Sequence, residues 1–316
     1  MENQDMRNAT LARVSSLYFD QNMTQQEIAD TTGITRTMVS RIIAEAREQG
    51  IVEIKVHFPW RSKHLENELI NKFGLQAARV MVMDTNSYSE LLLGLGKLTA
   101  EYFTSVLHDN MSIGLSWGSA IQHMINALKP RKMKGVEVIQ LIGASGLESN
   151  LSDGPLLAQL LTNRLNASCR YLHAPLIVEN KIVRDALLEE RSIKETIKRA
   201  SQADIALVGI GSIHPDIYSL KTAGYINEEQ RKNLEASGVV GDFCGHHYSI
   251  EGIELDNEIN DRVVCISLQD FVKIGSVIAV AGGIRKGDAI LGALRGKFVN
   301  VLVTDAETAE YALEHA

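Results

Sequence analysis

From residue 76 onward, short apolar runs alternate with longer amphipathic segments, and this alternation limits what the chain can fold into. Runs such as ARVMVMD and DIALVGIGS have the length and composition of buried strands, whereas the intervening SAIQHMINAL has helical periodicity. Strands separated by helices predict a largely parallel sheet with both faces covered. We therefore expect an α/β domain, in which CRYLHAPLIV, VVGDFCGHHY and RVVCISL are further strands.

Many of the predicted strands end in glycine or serine. Ligands of parallel sheets bind at the carboxyl ends of the strands, where loops meet helix N-termini. Glycine-rich turns that converge on one such edge are suited to hold an anion through backbone N–H groups. The four turns with this composition are 114–119, 143–146, 209–212 and 282–283.

The turn in AGGIRKGDAI carries two basic residues, Arg285 and Lys286, directly before a predicted helix. A cation there opposes the helix dipole, and an anion lying between them would remove the conflict. The alternative is a solvated basic turn, which fits Arg285 better than Lys286. Asp242 follows an apolar run, so we expect it at a strand end, where it either accepts hydrogen bonds from sugar hydroxyls or caps a turn.

The segment GLSWG, residues 114–118, matches the nucleophile elbow of α/β-hydrolases, and Asp242 followed by His246 or His247 supplies the order of a catalytic triad. No oxyanion segment of the HGGG type precedes it, however. Ser116 and Ser119 at a helix start also suit a phosphate, and we favour that interpretation over a nucleophile. We interpret both histidines as structural, because adjacent residues point apart.

Composition and charge exclude several classes of protein. The 316 residues carry a formal charge of -7, the first apolar residues do not resemble a signal peptide, and no apolar run is long enough to cross a bilayer. The three cysteines are widely spaced, and the GLG and GIG segments lack the third glycine of a dinucleotide site. We expect a cytoplasmic protein without a metal, a cofactor or a membrane partner.

The stretch QQEIADTTGITRTMVSRII, residues 25–43, has the spacing of a helix-turn-helix. Thr24 and Glu27 form a predicted capping box, Gly33 supplies the turn, and Thr35 can cap the second helix. Val39 and Ile42 fall on its buried side. ATLARVSSLYFD predicts a preceding helix, and EQGIVEIKVHF alternates like the strand of a wing, with Ile54 and Val56 on one side. A plain helical hairpin is the alternative.

The outward face of the second helix is the predicted DNA-reading surface. Residues 1–60 hold six Lys or Arg against eight Asp or Glu, so that the module is not basic overall and only this helix face is. We expect useful affinity to require an oligomer that presents several copies. The residues predicted to contact DNA are Gln25, Thr35, Arg36, Thr37, Ser40 and Arg41.

Three regions follow from these patterns: a DNA-binding module over residues 1–58, a connecting helix over 59–75, and an effector domain over 76–316. In the connecting segment, Leu65, Leu69 and Phe73 recur at helical spacing. We expect this helix to form a semi-rigid junction between the modules and to be able to pair with the same helix of a second protomer.

The chain resembles the SorC/DeoR-type sugar-binding transcriptional regulators over nearly its whole length. The likeness rests on the order and content of seven segments: MTQQEIADTTGITRTMVSRIIAEAREQGIVEIKV, IGLSWGSAI, LHAPLIVEN, ADIALVGIGS, AGYI, VVGDFCGHHYSIEG and IAVAGGIRKGDAILGALRGKFVNVLVTD. The resemblance implies a winged helix-turn-helix and an effector domain similar to glucosamine-6-phosphate deaminase and ribose-5-phosphate isomerase. It also implies phosphorylated sugar effectors and a dimer or tetramer.

Carried over by position, the resemblance implies that the effector contacts come from the strand-end loops and from Asp242 and Tyr225. The full set is Ser116, Trp117, Gly118, Ser119, Gly143, Ala144, Ser145, Tyr225, Asp242, Gly283 and Lys286. The expected function is a repressor of a carbohydrate operon that binds operator DNA and responds to a sugar phosphate. The alternative is a sugar-phosphate isomerase or deaminase fused to a DNA-binding module, with Asp242 as the only candidate acid or base.

Overall fold

The computed structural model describes residues 2–53, 60–85, 87–145 and 153–316. It divides the chain into two units, Met1–Phe58 and Pro59–Ala316. Among the described residues, no helix combines the length and the apolar character needed to span a membrane.

The first unit is built from three helices, α1 (Glu2–Phe19), α2 (Gln25–Thr32) and α3 (Arg36–Glu48). Their apolar faces meet in one small core that joins Leu11 and Val14 of α1 to Ile28 of α2 and Val39 of α3. The helix-turn-helix geometry therefore has the three-helix core that the sequence predicts. The predicted wing residues Ile54 and Val56 lie outside the described residues.

The second unit alternates strands with helices. Its strands are β1 (Trp60–Arg61), β2 (Ala77–Val82), β3 (Ser112–Leu115), β4 (Glu137–Gln140), β5 (Ser168–Arg170), β6 (Ile205–Gly209), β7 (Gly211–Ser212), β8 (Val239–Phe243), β9 (His246–Ser249), β10 (Ser276–Val280) and β11 (Val301–Asp305). Its helices are α4 (Lys63–Phe73), α5 (Tyr88–Val106), α6 (Ser119–Ala127), α7 (Gly154–Leu165), α8 (Lys181–Glu189), α9 (Arg191–Ala200), α10 (Ser219–Thr222), α11 (Glu228–Ala236), α12 (Leu268–Phe271), α13 (Gly287–Arg295) and α14 (Ala306–Glu314).

Eight strands form one sheet in the order β1-β2-β11-β10-β6-β3-β4-β5. Every neighbouring pair is parallel except β1 with β2. The loops that follow β3, β4, β6, β10 and β11 therefore leave from the same side of the sheet, which we call the carboxyl edge. A separate antiparallel sheet contains β7, β8 and β9.

Alternate residues of the central strands pack into two different cores. In β6, Ile205 and Leu207 share a core with residues of α5, α6 and α7, whereas Ala206 and Val208 share a core with residues of α4, α13 and α14. Helices thus cover both faces of the sheet, as expected for parallel strands.

The direction of the chain diverges between the neighbouring strands β3 and β6. From β3 the chain proceeds to β4 and β5 through α6 and α7 on one face. From β6 it proceeds to β10 and β11, which follow β6 in the strand order on the side away from β3. The helix between them, α13, packs on the opposite face of the sheet. Open α/β sheets bind ligands at such a switch point, at the carboxyl ends of the strands.

Three of the predicted strands differ in the structure. VVGDFCGHHY is an antiparallel hairpin, β8 with β9, and its turn residues Cys244 and Gly245 have φ of 51° and 85°. Two positive φ values in succession are typical of a tight hairpin turn. RVVCISL makes only isolated bridges, and CRYLHAPLIV contributes only its first two residues to β5. Beyond Arg170, the Leu172 N–H donates to the side-chain oxygen of Gln140 at 3.0 Å instead of to a backbone carbonyl of β4.

The segment expected to connect the modules is part of the α/β unit. β1 pairs with β2, and α4 buries Leu65 and Leu69 in the core of that unit. Glu66 of α4 is also buried, where it accepts a hydrogen bond from Arg61 Nε at 2.7 Å and another from the Val80 N–H at 3.1 Å. Apolar and polar contacts together hold this helix against the sheet.

Candidate functional site

The helix-turn-helix is fixed by hydrogen bonds at its helix ends. The Thr24 hydroxyl accepts from the Glu27 N–H at 3.3 Å, and Glu27 Oε2 accepts from the Thr24 N–H at 2.8 Å, which completes the predicted capping box. Gly33 ends α2 at φ 71°, in the left-handed region that glycine adopts without strain. Thr35 caps α3, where its hydroxyl accepts from the Met38 N–H.

The side of α3 that faces away from the core carries the predicted reading residues. Val39 and Ile42 are buried, whereas Arg36, Thr37 and Arg41 are exposed, as are Thr35 and Ser40; Gln25 on α2 is half-buried. A depression of about 600 Å³ lies beside this surface, and Gln25 and Arg36 are both part of its lining. The first unit therefore presents cationic and polar side chains on one helix face.

An ion pair between Arg7 and Glu45 joins α3 to α1. The Arg7 guanidinium donates to both carboxylate oxygens of Glu45 and so neutralises an acidic side chain of α3. On the same helix, the Arg47 guanidinium lies 5.4 Å from the ring centre of Phe19. These contacts tie α3 to α1.

At the switch point, the loop after β3 turns directly into α6. Ser116 is buried, and its N–H donates to the Leu207 carbonyl of β6 at 3.0 Å. Trp117 and Gly118 are half-buried, and Gly118 precedes α6 at φ 120° without a side-chain cap. The N-terminus of α6, which begins at the exposed Ser119, therefore has backbone donors that no capping side chain occupies.

Lys286 lies in the loop between β10 and α13, and its side chain reaches the carboxyl end of β6. Its Nζ donates to the carbonyl of Ile210, the residue that follows β6, at 2.6 Å. Burial lowers the pKa of Lys286 to about 8, and the negative charge of Asp242 acts in the opposite direction. The helix that begins after Lys286, α13, also lacks a side-chain cap. Arg285, by contrast, is exposed and pairs with Asp216 at 3.2 Å.

Asp242 is buried near the turn of the β8–β9 hairpin, beside β7 rather than at the end of a parallel strand. Its Oδ2 accepts from the Gly245 N–H at 3.2 Å, whereas its Oδ1 has no hydrogen-bond partner among the described residues. Asp242 pairs with Gly211, and a side chain at Gly211 would overlap with Oδ1. The carboxylate therefore has a buried acceptor without a partner, and the missing side chain at Gly211 leaves the space that Oδ1 occupies.

The loop after β4 has fewer backbone N–H groups available for a ligand than expected, because the protein itself uses them. The N–H groups of Gly143 and Ala144 donate to Val264 and Ala174, at 3.0 and 2.9 Å, and the Ser145 N–H donates to Asp153 Oδ1 at 2.9 Å. In the described part of the chain, the buried Ser145 hydroxyl has no partner. Tyr225 donates its hydroxyl to the Ser145 carbonyl and so crosses over this loop. Gly146, part of the same predicted turn, lies outside the described residues.

Gly283 is likewise engaged, since its N–H donates to Asp305 Oδ2 at 2.6 Å and its φ is 90°. Sequence reasoning did not single out Asp305 or Gly211. Asp305 follows the last apolar run as the acidic cap of α14, which is a detectable signal. Nothing in the sequence distinguishes Gly211 from the other glycines of its turn.

The two adjacent histidines have different surroundings and do not form a metal site. His247 is fully buried between Asn260 Oδ1, 3.0 Å from its Nδ1, and the Tyr218 hydroxyl, 2.5 Å from its Nε2. Burial lowers the pKa of His247 and favours a neutral ring. His246 Nδ1 lies 2.8 Å from Glu254 Oε1. Within the described ranges, no cluster of three or more His, Cys, Asp or Glu is arranged to hold a metal ion.

The nucleophile elbow is not assembled into a triad. The Ser116 hydroxyl contacts its neighbour's carbonyl, Trp117 O, at 3.4 Å. Of the two candidate bases, His247 is occupied by Asn260 and Tyr218, and His246 Nδ1 lies 2.8 Å from Glu254. The arrangement instead brings together two uncapped helix starts, an ammonium group and an unpaired carboxylate oxygen.

A helix-turn-helix unit with an exposed cationic helix, followed by an α/β unit whose open parallel sheet has a switch point, defines the class of DNA-binding transcriptional regulators that carry a ligand-binding domain. Residues 59–314 match the family described as "Putative sugar-binding domain", and residues 6–59 match the Crp-like helix-turn-helix domain. The chain belongs to the SorC/DeoR-type family of sugar-binding transcriptional regulators.

Similar proteins match along nearly their whole length. The deoxyribonucleoside regulator of Bacillus subtilis is 34% identical over 294 residues, which cover 93% of both chains. The crystal structure of the full-length sorbitol operon regulator SorC from Klebsiella pneumoniae has a TM-score of 0.78 and 33% identity, and the match covers 96% of this chain and 98% of that one. The predicted fold class, a helix-turn-helix followed by a largely parallel α/β domain, and the predicted DNA-binding regulatory function are confirmed. The likeness of the α/β domain to glucosamine-6-phosphate deaminase and ribose-5-phosphate isomerase stays a prediction.

Proposed function

We propose that the chain represses a carbohydrate operon in the cytoplasm and that a phosphorylated sugar releases it from operator DNA. One observation carries the proposal: the start of α6, the start of α13 and the ammonium group of Lys286 share the carboxyl edge of neighbouring strands. Uncapped helix N-termini and a buried ammonium group both favour an anion, and a phosphate group satisfies all three at once.

The sugar part of the effector is assigned to the acceptor and hydroxyl groups beside the phosphate site. Asp242 Oδ1 can accept from a sugar hydroxyl, and the Ser145 hydroxyl can donate or accept. A buried polar atom without a partner is costly, so a ligand that supplies the missing hydrogen bond gains affinity at that atom. An inorganic anion alone would leave both atoms unsatisfied.

Control of DNA binding requires that the effector prefer one arrangement of the DNA-binding units. For a repressor, the preferred arrangement is the one that fits the operator poorly, and coupling of about 1–3 kcal/mol is usual between such sites. One helix-turn-helix binds DNA weakly, and we therefore propose a dimer or tetramer that presents several copies to spaced half-sites.

We infer that the domain binds its sugar phosphate without converting it. An isomerase or deaminase needs an acid and a base poised on the sugar. Asp242 is a candidate for the base. The hydrogen bond described for its carboxylate comes from the backbone N–H of Gly245, however, and a backbone N–H cannot serve as the partner acid. Turnover of glucosamine 6-phosphate or ribose 5-phosphate by the purified protein would contradict this inference.

The first experiment is the thermal stability of the purified protein with a panel of sugars and their phosphates. A ligand at about 100 times its Kd stabilises the folded state by about 2.7 kcal/mol, which is readily detected. We expect one phosphorylated sugar to raise the unfolding midpoint and its unphosphorylated form to have no effect. That compound should then weaken operator binding. Stabilisation by none of the sugar phosphates would refute the assignment of the site.

A further inference from the structure

The first turn of α3 exposes an apolar side chain among the predicted DNA-reading residues. Met38 is 47% exposed, although it is the residue before the buried Val39. It contributes nothing to the core of the first unit, which takes Val39, Ile42 and Ile43 from α3. Its neighbours Arg36 and Thr37 are exposed as well. Met38 therefore belongs to the outer surface of the helix that enters DNA.

The hydrogen-bonding groups around Met38 are already engaged. The hydroxyls of Thr35 and Thr37 lie 3.0 Å apart, and the Thr35 hydroxyl also accepts from the Met38 N–H. Thr35 thereby caps α3 and Thr37 is hydrogen-bonded to that cap, so less of their hydrogen-bonding capacity is left for bases. What this turn offers besides the Arg36 cation is apolar surface.

Apolar surface in the major groove has one specific partner. The C5 methyl of thymine is the apolar group that a base pair presents there, and it distinguishes T·A pairs from the others. Methionine is unbranched and flexible, so it adapts to the position of such a methyl group. We propose that Met38 reads a thymine methyl group in each operator half-site. The proposal rests on the DNA-binding function of the first unit and is independent of the effector.

The test uses the full chain and a selected operator. Rounds of binding to a random duplex library define the half-site, and each thymine of that site is then replaced by uracil, which removes only the methyl group. Binding is measured by fluorescence anisotropy at one fixed salt concentration, because affinity for DNA depends steeply on salt. We expect one position in each half-site at which uracil raises Kd about fourfold, the factor for burying one methyl-sized group.

Variants of Met38 assign that effect to this side chain. With Met38→Ala, uracil at the sensitive position should no longer change Kd, whereas Met38→Leu should retain the sensitivity. The matched control is Met6→Ala, which removes a methionine of the same unit that is 72% exposed but lies on α1. It should leave the full effect of uracil. Met38 and Met6 are both exposed, so folding of the three variants is expected to be unchanged, and circular dichroism checks this.

Two results overturn the proposal. Either no thymine of the half-site is sensitive to uracil in the wild-type protein, or Met38→Ala retains the full fourfold effect, in which case another side chain reads the methyl. Both leave the DNA-binding function intact, since the wild-type protein still selects a half-site. Failure to select any sequence would contradict base reading by α3 altogether, and the proposal with it.

Discussion

The protonation of Lys286 makes the affinity for a sugar phosphate depend on pH. Burial lowers the pKa of this ammonium group to about 8, from an ordinary value of 10.5. Its Nζ contacts only the neutral Ile210 carbonyl among its described hydrogen bonds, and Asp242 opposes the shift without cancelling it. A bound phosphate would add negative charge beside Nζ, and this should raise the pKa of Lys286 in the complex.

The size of the effect follows from the two protonation states. With a pKa of about 8, about nine tenths of the free protein carries the Lys286 proton at pH 7 and about one tenth carries it at pH 9. If the complex remains protonated, affinity should fall about tenfold between pH 7 and pH 9. A sugar phosphate is already about nine tenths dianionic at pH 7, since its second pKa is about 6, and so contributes little to the change.

The ligand-free protein should show the opposite trend. Its unfolded chain binds the Lys286 proton up to pH 10.5, whereas the folded chain releases it at about pH 8. The contribution of Lys286 to stability therefore rises as the pH increases between these two values. As the pH rises, deprotonation of Lys286 thus weakens effector binding and stabilises the ligand-free fold.

Isothermal titration calorimetry at pH 7, 8 and 9, with the sugar phosphate selected by thermal stability, measures the effect. Lys286→Arg keeps a charge at all three values, so its affinity should change little with pH. Lys286→Met should bind weakly at every pH and without the tenfold change. A wild-type affinity that is constant from pH 7 to 9, or a Lys286→Met variant that shows the same decrease, would refute the role of Lys286.

Further predictions concern the two units separately. Arg36→Ala and Arg41→Ala should each weaken operator binding by about 10–100-fold while leaving effector binding unchanged; wild-type footprints for both would show that α3 is not the reading helix. Gly211→Ala should displace the Asp242 carboxylate and abolish the response to the effector, whereas operator binding is retained, as followed by anisotropy with and without the sugar phosphate. Thr24→Ala should destabilise the first unit by about 1 kcal/mol through loss of the capping box, and Gln26→Ala on the same helix is the control in urea unfolding.

The helix-turn-helix could be predicted from sequence because its determinants are local. The capping box joins Thr24 to a residue three positions away, and Gly33 fulfils a backbone requirement that glycine meets best. The α/β class could also be predicted from sequence, since alternation between strand and helix periodicity is a local property. The same reasoning failed at β8 and β9, where the segment predicted as one strand turns back at Cys244 and Gly245.

The candidate ligand site was only partly accessible from sequence. Residue types and glycine-rich turns predicted which loops would meet, but they could not show which backbone donors the protein already uses. Gly143 and Ala144 donate to carbonyls that are distant in the chain, and Gly283 donates to Asp305. Only the positions of those acceptors in three dimensions determine that these particular N–H groups are not free for a ligand.

Local sequence thus determined the helices, the turns and the class of each unit, because these depend on residues three or four positions apart or on a repeating pattern. The tertiary structure decided the chemistry of the candidate ligand site. Lys286 meets Ile210 across 76 residues, and Tyr225 meets Ser145 across 80. Asp242 keeps one oxygen unpaired beside Gly211. Burial and the pairing of polar groups depend on every element that surrounds them, and the strand order that brings those elements together is set by the packing of the whole sheet.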